Sequence, residues 1–165
     1  MSVERLKIVR ESIRSKLMES VAIWQNDIVQ REEQLRVQKK ILDSAEAKTD
    51  RSENAVYQTA VDNIRLLDIE IKNLTDKVDA FSSFMAKEYT PSDRIVIGST
   101  VVISIKGENS IFECYIVPRS LGSAKIGAIS ESSSVGAALL GRHTGDIVTV
   151  TTIQGNISYC VEEVY

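Results

Sequence analysis

The sequence predicts an α+β fold in two parts: an N-terminal antiparallel coiled-coil hairpin, then a small antiparallel β-sheet domain with one short helix. Residues 1–88 contain no glycine and no proline, the two residues that most disfavour helix interiors, whereas all eight glycines lie beyond them. The hydrophobic spacing changes as well, from steps of three and four residues to short runs typical of strands. We therefore place the hairpin in residues 1–88 and the β domain in residues 92–165.

The helical part carries two apolar seams. In its second half, steps of three and four residues connect Tyr57, Ala60, Ile64, Leu67, Ile71, Leu74, Val78, Phe81 and Met85. This repeat is the seam of a coiled coil. A similar seam in the first half is interrupted by Arg31 and Gln38. Because the polar break at residues 48–50 lies near the middle, a hairpin is favoured over an intermolecular coiled coil, and we expect a monomer.

The predicted tip of the hairpin, near residues 48–57, holds two carboxylates three residues apart, Asp50 and Glu53. At the start of a helix this spacing is also a capping box, in which both side chains bond backbone N–H groups. Two carboxylates suit a hard cation such as Mg²⁺. Because Mg²⁺ takes six oxygen ligands, the others would come from a partner, a phosphate or water. Both roles are compatible at a tip that faces solvent.

The C-terminal part reads as two hairpins around a helix. Residues 101–105 and 111–117 form strands joined by a turn at 107–109, and residues 147–151 and 157–161 form a second pair. Between the pairs, residues 134–140 predict a short helix that ends at Gly141. This helix is expected to cover the apolar face of the sheet.

Composition excludes several classes of function. The net charge of −3 gives no bulk attraction to nucleic acid. No stretch approaches the roughly 20 apolar residues of a membrane span, and the charged N-terminus lacks a signal-peptide block. We therefore expect a cytoplasmic protein without a membrane partner. Cys114 and Cys160 are expected to be reduced thiols, although a disulfide stays open. His143, the one histidine, lacks the partners of a catalytic set.

Two segments resemble the Gre family of bacterial transcript-cleavage factors. The tip, Asp50-Arg51-Ser52-Glu53-Asn54-Ala55-Val56-Tyr57, is similar to that family's Asp, two variable residues, then Glu-Asn-Ala-x-Tyr. The run from Ser133 to Arg142, followed by Gly145-Asp146-Ile147-Val148, is similar to its second signature, and the ending at 161–165 also matches. The resemblance covers both halves in the family's order.

The sequence also departs from the family pattern. Thr49 stands where the family has glycine before the tip aspartate, and Ser134 replaces the proline of the second signature. Glu46 and Val61 occupy positions that are basic in the family. The two replaced basic positions weaken the expectation of a basic patch around the tip, and binding to a partner is expected to survive these changes better than full cleavage activity.

The resemblance implies an FKBP-like C-terminal domain and a partner, bacterial RNA polymerase. In that family's manner the hairpin would enter the secondary channel, and Asp50 and Glu53 would help hold a second Mg²⁺ shared with the polymerase. The backtracked RNA 3′ end would then be cleaved by the polymerase, so the chain itself would not be an enzyme. Asn54 and Tyr57 would support the tip. The expected docking residues are Ser133, Ser134, Val135, Gly136 and Arg142.

Two alternatives stay open. A non-cleaving regulator of the same architecture would bind the same channel and inhibit or modulate the polymerase; the altered flanking charges favour it and the intact acid pair opposes it. A plain interaction protein or chaperone with a coiled-coil hairpin would explain the heptads but not the acidic tip.

Overall fold

The computed structural model describes residues 3–46, 55–87, 92–153 and 155–165. Its elements are, in chain order, the helices α1 (Val3–Glu46) and α2 (Ala55–Met85), the strands β1 (Thr100–Ile105), β2 (Ile111–Val117) and β3 (Ala128–Ser130), the helix α3 (Ser134–Leu139), and the strands β4 (Ile147–Thr152) and β5 (Gly155–Val164). Two 3₁₀ turns, Arg119–Leu121 and Ala124–Ile126, separate β2 from β3. The predicted α+β class is confirmed. Within the described ranges, no helix is both long and apolar enough to cross a membrane.

The chain forms two compact units, residues 20–79 and residues 1–19 with 80–165. This division differs from the boundary that the sequence predicted near residues 88–92. The first five turns of α1 place apolar side chains against the sheet, so they belong to the sheet's unit. In that segment Leu6, Ile13 and Leu17 are all at most 4% exposed.

In the helical unit, residues 20–79, α1 and α2 run antiparallel. Three interhelical contacts recur one heptad apart on both helices: Lys77 Nζ lies 5.5 Å from the ring centroid of Trp24, Arg31 Nε donates to Glu70 Oε2 at 2.8 Å, and Asn63 Nδ2 donates to Gln38 Oε1 at 3.4 Å. The predicted hairpin is confirmed by this pairing. The polar residues that interrupt the seam of α1 are therefore matched by polar residues of α2.

The sheet has the strand order β3-β2-β1-β5-β4. Three of its four pairings are antiparallel, but β2 and β3 are parallel. The sequence predicts a purely antiparallel sheet, which is wrong for β3, because three residues are too few to show a strand pattern. The two 3₁₀ turns carry the chain back so that β3 runs in the same direction as β2.

One face of the sheet packs against α3. Leu139 is fully buried there, among a core made of Ile95, Val101, Ile103, Cys114, Ile116, Val148 and Val161. The helix ends where Gly141 adopts a left-handed φ of 78°, and the Gly141 N–H donates to the Ile95 carbonyl at 2.8 Å. The predicted helix stop at this glycine is confirmed.

The other face of the sheet is covered by the first turns of α1 and the last turns of α2. The rings of Phe84 and Tyr115 lie 5.6 Å apart between centroids, and Tyr115 and Val117 are fully buried. The prediction that one short helix covers the sheet was therefore incomplete. Strand β1 is buried on both faces along its first four residues, which explains its nearly continuous apolar run.

Arg10 of α1 lies near the aromatic rings of Tyr115 on β2 and of Tyr165, which directly follows β5. Thr100 pairs with Tyr115 on one side and exchanges two backbone hydrogen bonds with Tyr165 on the other, at 2.6 and 2.8 Å. The Arg10 guanidinium carbon is 5.7 Å from the Tyr115 ring centroid and 5.6 Å from that of Tyr165. Its Nη2 donates to the Gly98 carbonyl at 2.9 Å. Arg10 thus ties α1 to the centre of the sheet.

Candidate functional site

The acidic tip lies in the connection between the two long helices. α1 ends at Glu46 and α2 begins at Ala55, so Asp50, Glu53 and Asn54 fall between them and outside the described residues. The metal-binding role of the two acids therefore stays a prediction. Tyr57, the last of the predicted tip residues, lies in the first turn of α2 and is half-buried.

The described residues that flank the tip hold the two helices close together. Ala45 is 8% exposed and Ala60 is 2% exposed, and small side chains at such positions let two helix backbones approach. Next to Ala60, a shallow groove of about 390 Å³ is lined by Gln38, Ile41, Ala55, Val56, Thr59 and Asn63. The helix ends are thus paired by packing and by the Gln38–Asn63 contact.

The charge around the tip is mixed. Lys39, Lys40 and Asp43, on the last turns of α1, are all exposed. In the part of the chain that the structure describes, no group of three or more His, Cys, Asp or Glu residues could hold a metal ion.

Two of the predicted docking residues have structural roles around α3. Ser133 caps the helix, because its Oγ accepts from the Gly136 N–H at 3.0 Å and donates to the Ser130 carbonyl at 2.7 Å. Gly136 is buried, and a Cβ built on it would lie 2.0 Å from the Ser130 carbonyl oxygen. Glycine is therefore required here by the close approach of α3 to the end of β3.

The other three predicted docking residues reach the surface to different degrees. Ser134 and Arg142 are exposed, and Val135 is half-buried. Arg142 Nε makes a long hydrogen bond, 3.4 Å, to the Ala138 carbonyl at the end of α3. Docking at this helix stays a prediction, and the described geometry leaves Ser134 and Arg142 as the residues available for contact.

An apolar groove that the sequence does not predict lies beside α3. It has a volume of about 530 Å³, and its lining includes Phe112, Ile129, Val135 and Tyr159. Phe112 is 44% exposed and its neighbour Ile111 is 59% exposed. Exposed apolar residues at the start of β2 were the available signal, but strand periodicity alone does not show which face meets solvent.

The two cysteines are free thiols in the structure, Cys114 on β2 and Cys160 on β5. Strand β1 separates these two strands. Burial, with a smaller contribution from the Glu113 charge, raises the pKa of Cys114 to about 11. A thiol with so high a pKa is mostly protonated at neutral pH, so Cys114 is a packing residue and a poor nucleophile.

Comparison with known proteins places this geometry in a family. Residues 90–165 match the family described as transcription elongation factor, GreA/GreB, C-terminal. Transcription elongation factor GreA of Streptococcus pneumoniae serotype 4 (strain ATCC BAA-334 / TIGR4) is 34% identical over 108 residues, and GreA of Streptococcus sanguinis (strain SK36) is 35% identical over the same length. Each alignment covers 65% of this chain and 66% of the relative, slightly under two thirds of the relative's length.

Solved structures that are similar to this chain include GreA factor homolog 1 of Thermus thermophilus, which is 18% identical with a TM-score of 0.40. That alignment covers 88% of this chain and 94% of the Thermus chain. GreA/GreB of Nitrosomonas europaea is 22% identical with a TM-score of 0.40, and the alignment covers 61% of this chain and 91% of that chain. TM-scores this low add no weight to the assignment. The family match and the GreA relatives carry it: residues 90–165 belong to the Gre family of transcription elongation factors.

Proposed function

We propose that this chain acts on bacterial RNA polymerase, enters its secondary channel through the helical hairpin and stimulates the polymerase's own cleavage of backtracked RNA. The observation that carries the proposal is the position of Asp50 and Glu53 in the sequence. Both fall in the short connection between two antiparallel helices, remote along the chain from the sheet and its core. Family membership supports a role in elongation, and the acid pair supports a role in cleavage.

A divalent cation fits the chemistry of these residues. Carboxylate oxygens are preferred ligands of Mg²⁺, and two of them leave most of its six positions for ligands from the polymerase, the RNA or water. When bound, Mg²⁺ would lower the pKa of a water molecule and stabilise charge on the phosphate. The nuclease centre would therefore belong to the polymerase, and this chain would contribute ligands.

The chain's own residues would present and orient the acids. Asn54 follows Glu53 directly and can bond backbone groups of the connection, whereas Tyr57 is fixed in the first turn of α2. The paired helix ends would restrict where the acids can lie, which matters because catalytic geometry is sensitive to displacements of about 1 Å.

The sheet's unit would bind the outer surface of the polymerase. Ser134 begins α3 and Arg142 follows its end, and Val135 of the same helix lines the apolar groove together with Phe112. A surface that combines an apolar groove with an exposed cation can bury a partner's apolar side chain while fixing its orientation. We therefore extend the predicted docking residues to this groove.

A non-cleaving regulator is the second candidate. Glu46 and Val61 stand where the family pattern has basic residues, and a less basic flank would hold the RNA backbone more weakly. Such a factor would occupy the channel and inhibit or modulate the polymerase without stimulating cleavage.

One assay separates the two candidates. A backtracked elongation complex with a labelled RNA 3′ end is incubated with Mg²⁺ and the protein, and the rate of cleavage is measured. We expect stimulation by the wild type and its loss in Asp50→Asn and Glu53→Gln, while Asp43→Asn, an exposed acid of α1 outside the motif, retains it. Inhibition by the wild type would support the regulator. Equal stimulation by all variants would refute the role of the two acids.

A further inference from the structure

The helical unit contains a ladder of matched polar contacts. Arg31 pairs with Glu70, and one heptad further along both helices Gln38 pairs with Asn63. These positions are partly shielded from solvent: the Arg31 side chain is 30% exposed and that of Glu70 is 41% exposed. The two pairs lie at the interface between the helices, unlike the ion pair of Asp62 and Arg65, which lies within α2 with both side chains 74% exposed.

The apolar seam alone would not fix how the helices slide past each other. In α2 the apolar residues repeat every seven positions from Tyr57 to Met85. A shift of one heptad would bring apolar residues against apolar residues again, with a similar area buried. In coiled coils generally, polar residues at the interface are the ones that specify register.

Each shifted register breaks the ladder. A shift of one heptad in one direction would place Arg31 opposite Lys77, a like charge, and Glu70 opposite Gln38. A shift in the other direction would place Arg31 opposite Asn63 and Glu70 opposite Trp24. In both cases Glu70 loses Arg31, and Arg31 keeps only Asp27 of its own helix, at 3.9 Å. The shift is therefore unfavourable, because two partly desolvated charges lose the compensation of the interhelical pair.

We propose that the Arg31–Glu70 and Gln38–Asn63 pairs set the register of the hairpin and thereby select the residues that form its tip. Gln38 lies eight residues before the end of α1, and Asn63 lies eight residues after the start of α2. In this register the middle of the connection falls between Asp50 and Arg51. A shift of one heptad moves that middle by half a heptad along the chain, to the neighbourhood of Ala47 or Asn54.

The four side chains are therefore positioning residues for the tip. They lie on the two helices and not in the connection, and their effect on cleavage rests on the function proposed above. Their effect on register does not, because it can be measured on the isolated protein. The experiment below uses this difference to separate failure of the inference from failure of the proposed function.

The test compares a variant without the ladder to one without an exposed ion pair. In a Cys114→Ala/Cys160→Ala background, nitroxide labels at Glu33→Cys and Asp68→Cys report the distance between the helices by pulsed electron resonance. The test variant is Arg31→Leu/Glu70→Leu/Gln38→Leu/Asn63→Leu, and the control is Asp62→Leu/Arg65→Leu. A shift of one heptad displaces one helix by about 10 Å along the other.

We expect one narrow distance distribution in the parent and in the control, and two or more in the test variant. The helix content and melting temperature of the test variant should be retained or increased, because leucine replaces polar groups at a partly buried interface. Its stimulation of cleavage should fall by roughly tenfold or more. A loss of cleavage together with raised stability is a result that a merely stabilising role of the ladder would not give.

A second set of variants exchanges the charges. Asp27→Asn is included throughout, since Asp27 lies 3.9 Å from Arg31 and would repel an acid placed there. Arg31→Glu should broaden the distance distribution, and Arg31→Glu/Glu70→Arg should restore one distance. A single parental distance in the leucine variant would overturn the inference. Split distances with undiminished cleavage would keep the register assignment but refute its effect on the tip.

Discussion

The guanidinium group of Arg10, near the start of the chain, lies over the ring of Tyr165, at 5.6 Å from its centroid. The same group lies 5.7 Å from the centroid of Tyr115 and donates to the Gly98 carbonyl. We expect Arg10→Ala to lower the free energy of unfolding by about 2 kcal/mol, because a hydrogen bond from a charged donor and two cation–π contacts are lost. Urea denaturation followed by circular dichroism measures this loss.

The matched control for that change is Arg5→Ala. Arg5 pairs with Glu113 at 2.6 Å, but its side chain is 56% exposed, so we expect a loss below about 1 kcal/mol. Equal losses for the two variants would contradict a special role for Arg10.

Gly136 should tolerate no side chain. A methyl group at this position would meet the Ser130 carbonyl oxygen at 2.0 Å, so α3 would have to move away from the end of β3. We expect Gly136→Ala to cost about 3 kcal/mol, although alanine is the better helix former. Ala137→Gly, on the exposed side of the same helix, should cost only about 1 kcal/mol. A melting temperature of Gly136→Ala equal to that of the wild type would refute the close approach.

The isolated C-terminal segment should be unstable. A fragment of residues 92–165 lacks the helical turns that cover Tyr115 and Val117, both fully buried in the whole chain, so it would expose that face of the sheet to water. We expect it to aggregate or to melt at a much lower temperature than the full chain. The control joins residues 1–19 and 80–165 through a short linker, which retains the complete unit. A fragment that unfolds cooperatively at the full-length temperature would contradict this.

Stability should depend on alkaline pH through Cys114. Burial first, and the Glu113 charge second, raise the pKa of this thiol from 9.0 to about 11 in the folded protein. The protonated thiol is therefore favoured by folding. The contribution of Cys114 to the free energy of unfolding is fully present below pH 9. It is lost as the pH rises from 9 to 11, by at most about 1.4 kcal/mol per pH unit.

The measurement is the difference between wild type and Cys114→Ala across that pH range. Other groups titrate there in both proteins, so only the difference in slope reports the thiol. We expect the free energy of unfolding to fall more steeply with pH in the wild type. Parallel slopes would show that Cys114 keeps an ordinary pKa.

The hairpin and most strands could be predicted because their signals are local. The heptads of α2, the turn residues between β1 and β2, and the left-handed Gly141 each involve neighbours in sequence. The polar interruptions at Arg31 and Gln38 could have been read as partners of Glu70 and Asn63, since these also lie one heptad apart. That step needs the register of the hairpin, which depends on contacts distant in sequence.

The remaining features depend on long-range packing. The run Val101-Val102-Ile103 indicates that β1 is buried on both faces, but nothing local shows that α1 supplies the second cover. Gly136 was assigned to a docking surface from its place in a signature, whereas its burial follows from the position of Ser130. The roles of Asp50, Glu53 and Asn54 stay predictions, because these residues lie outside the described ranges.

The contact between α1 and the sheet has a consequence for synthesis of the protein. During translation the first turns of α1 leave the ribosome long before β1 and β5 exist, and Arg10 meets Gly98 across 88 positions of sequence. Until then Leu6, Ile13 and Leu17 have no sheet to cover them, so they are open to chaperones or to self-association. The helical hairpin is built from contacts that are nearer in sequence, so it can form first. The sheet's unit forms later, because its strands are synthesised after the part of α1 that covers them.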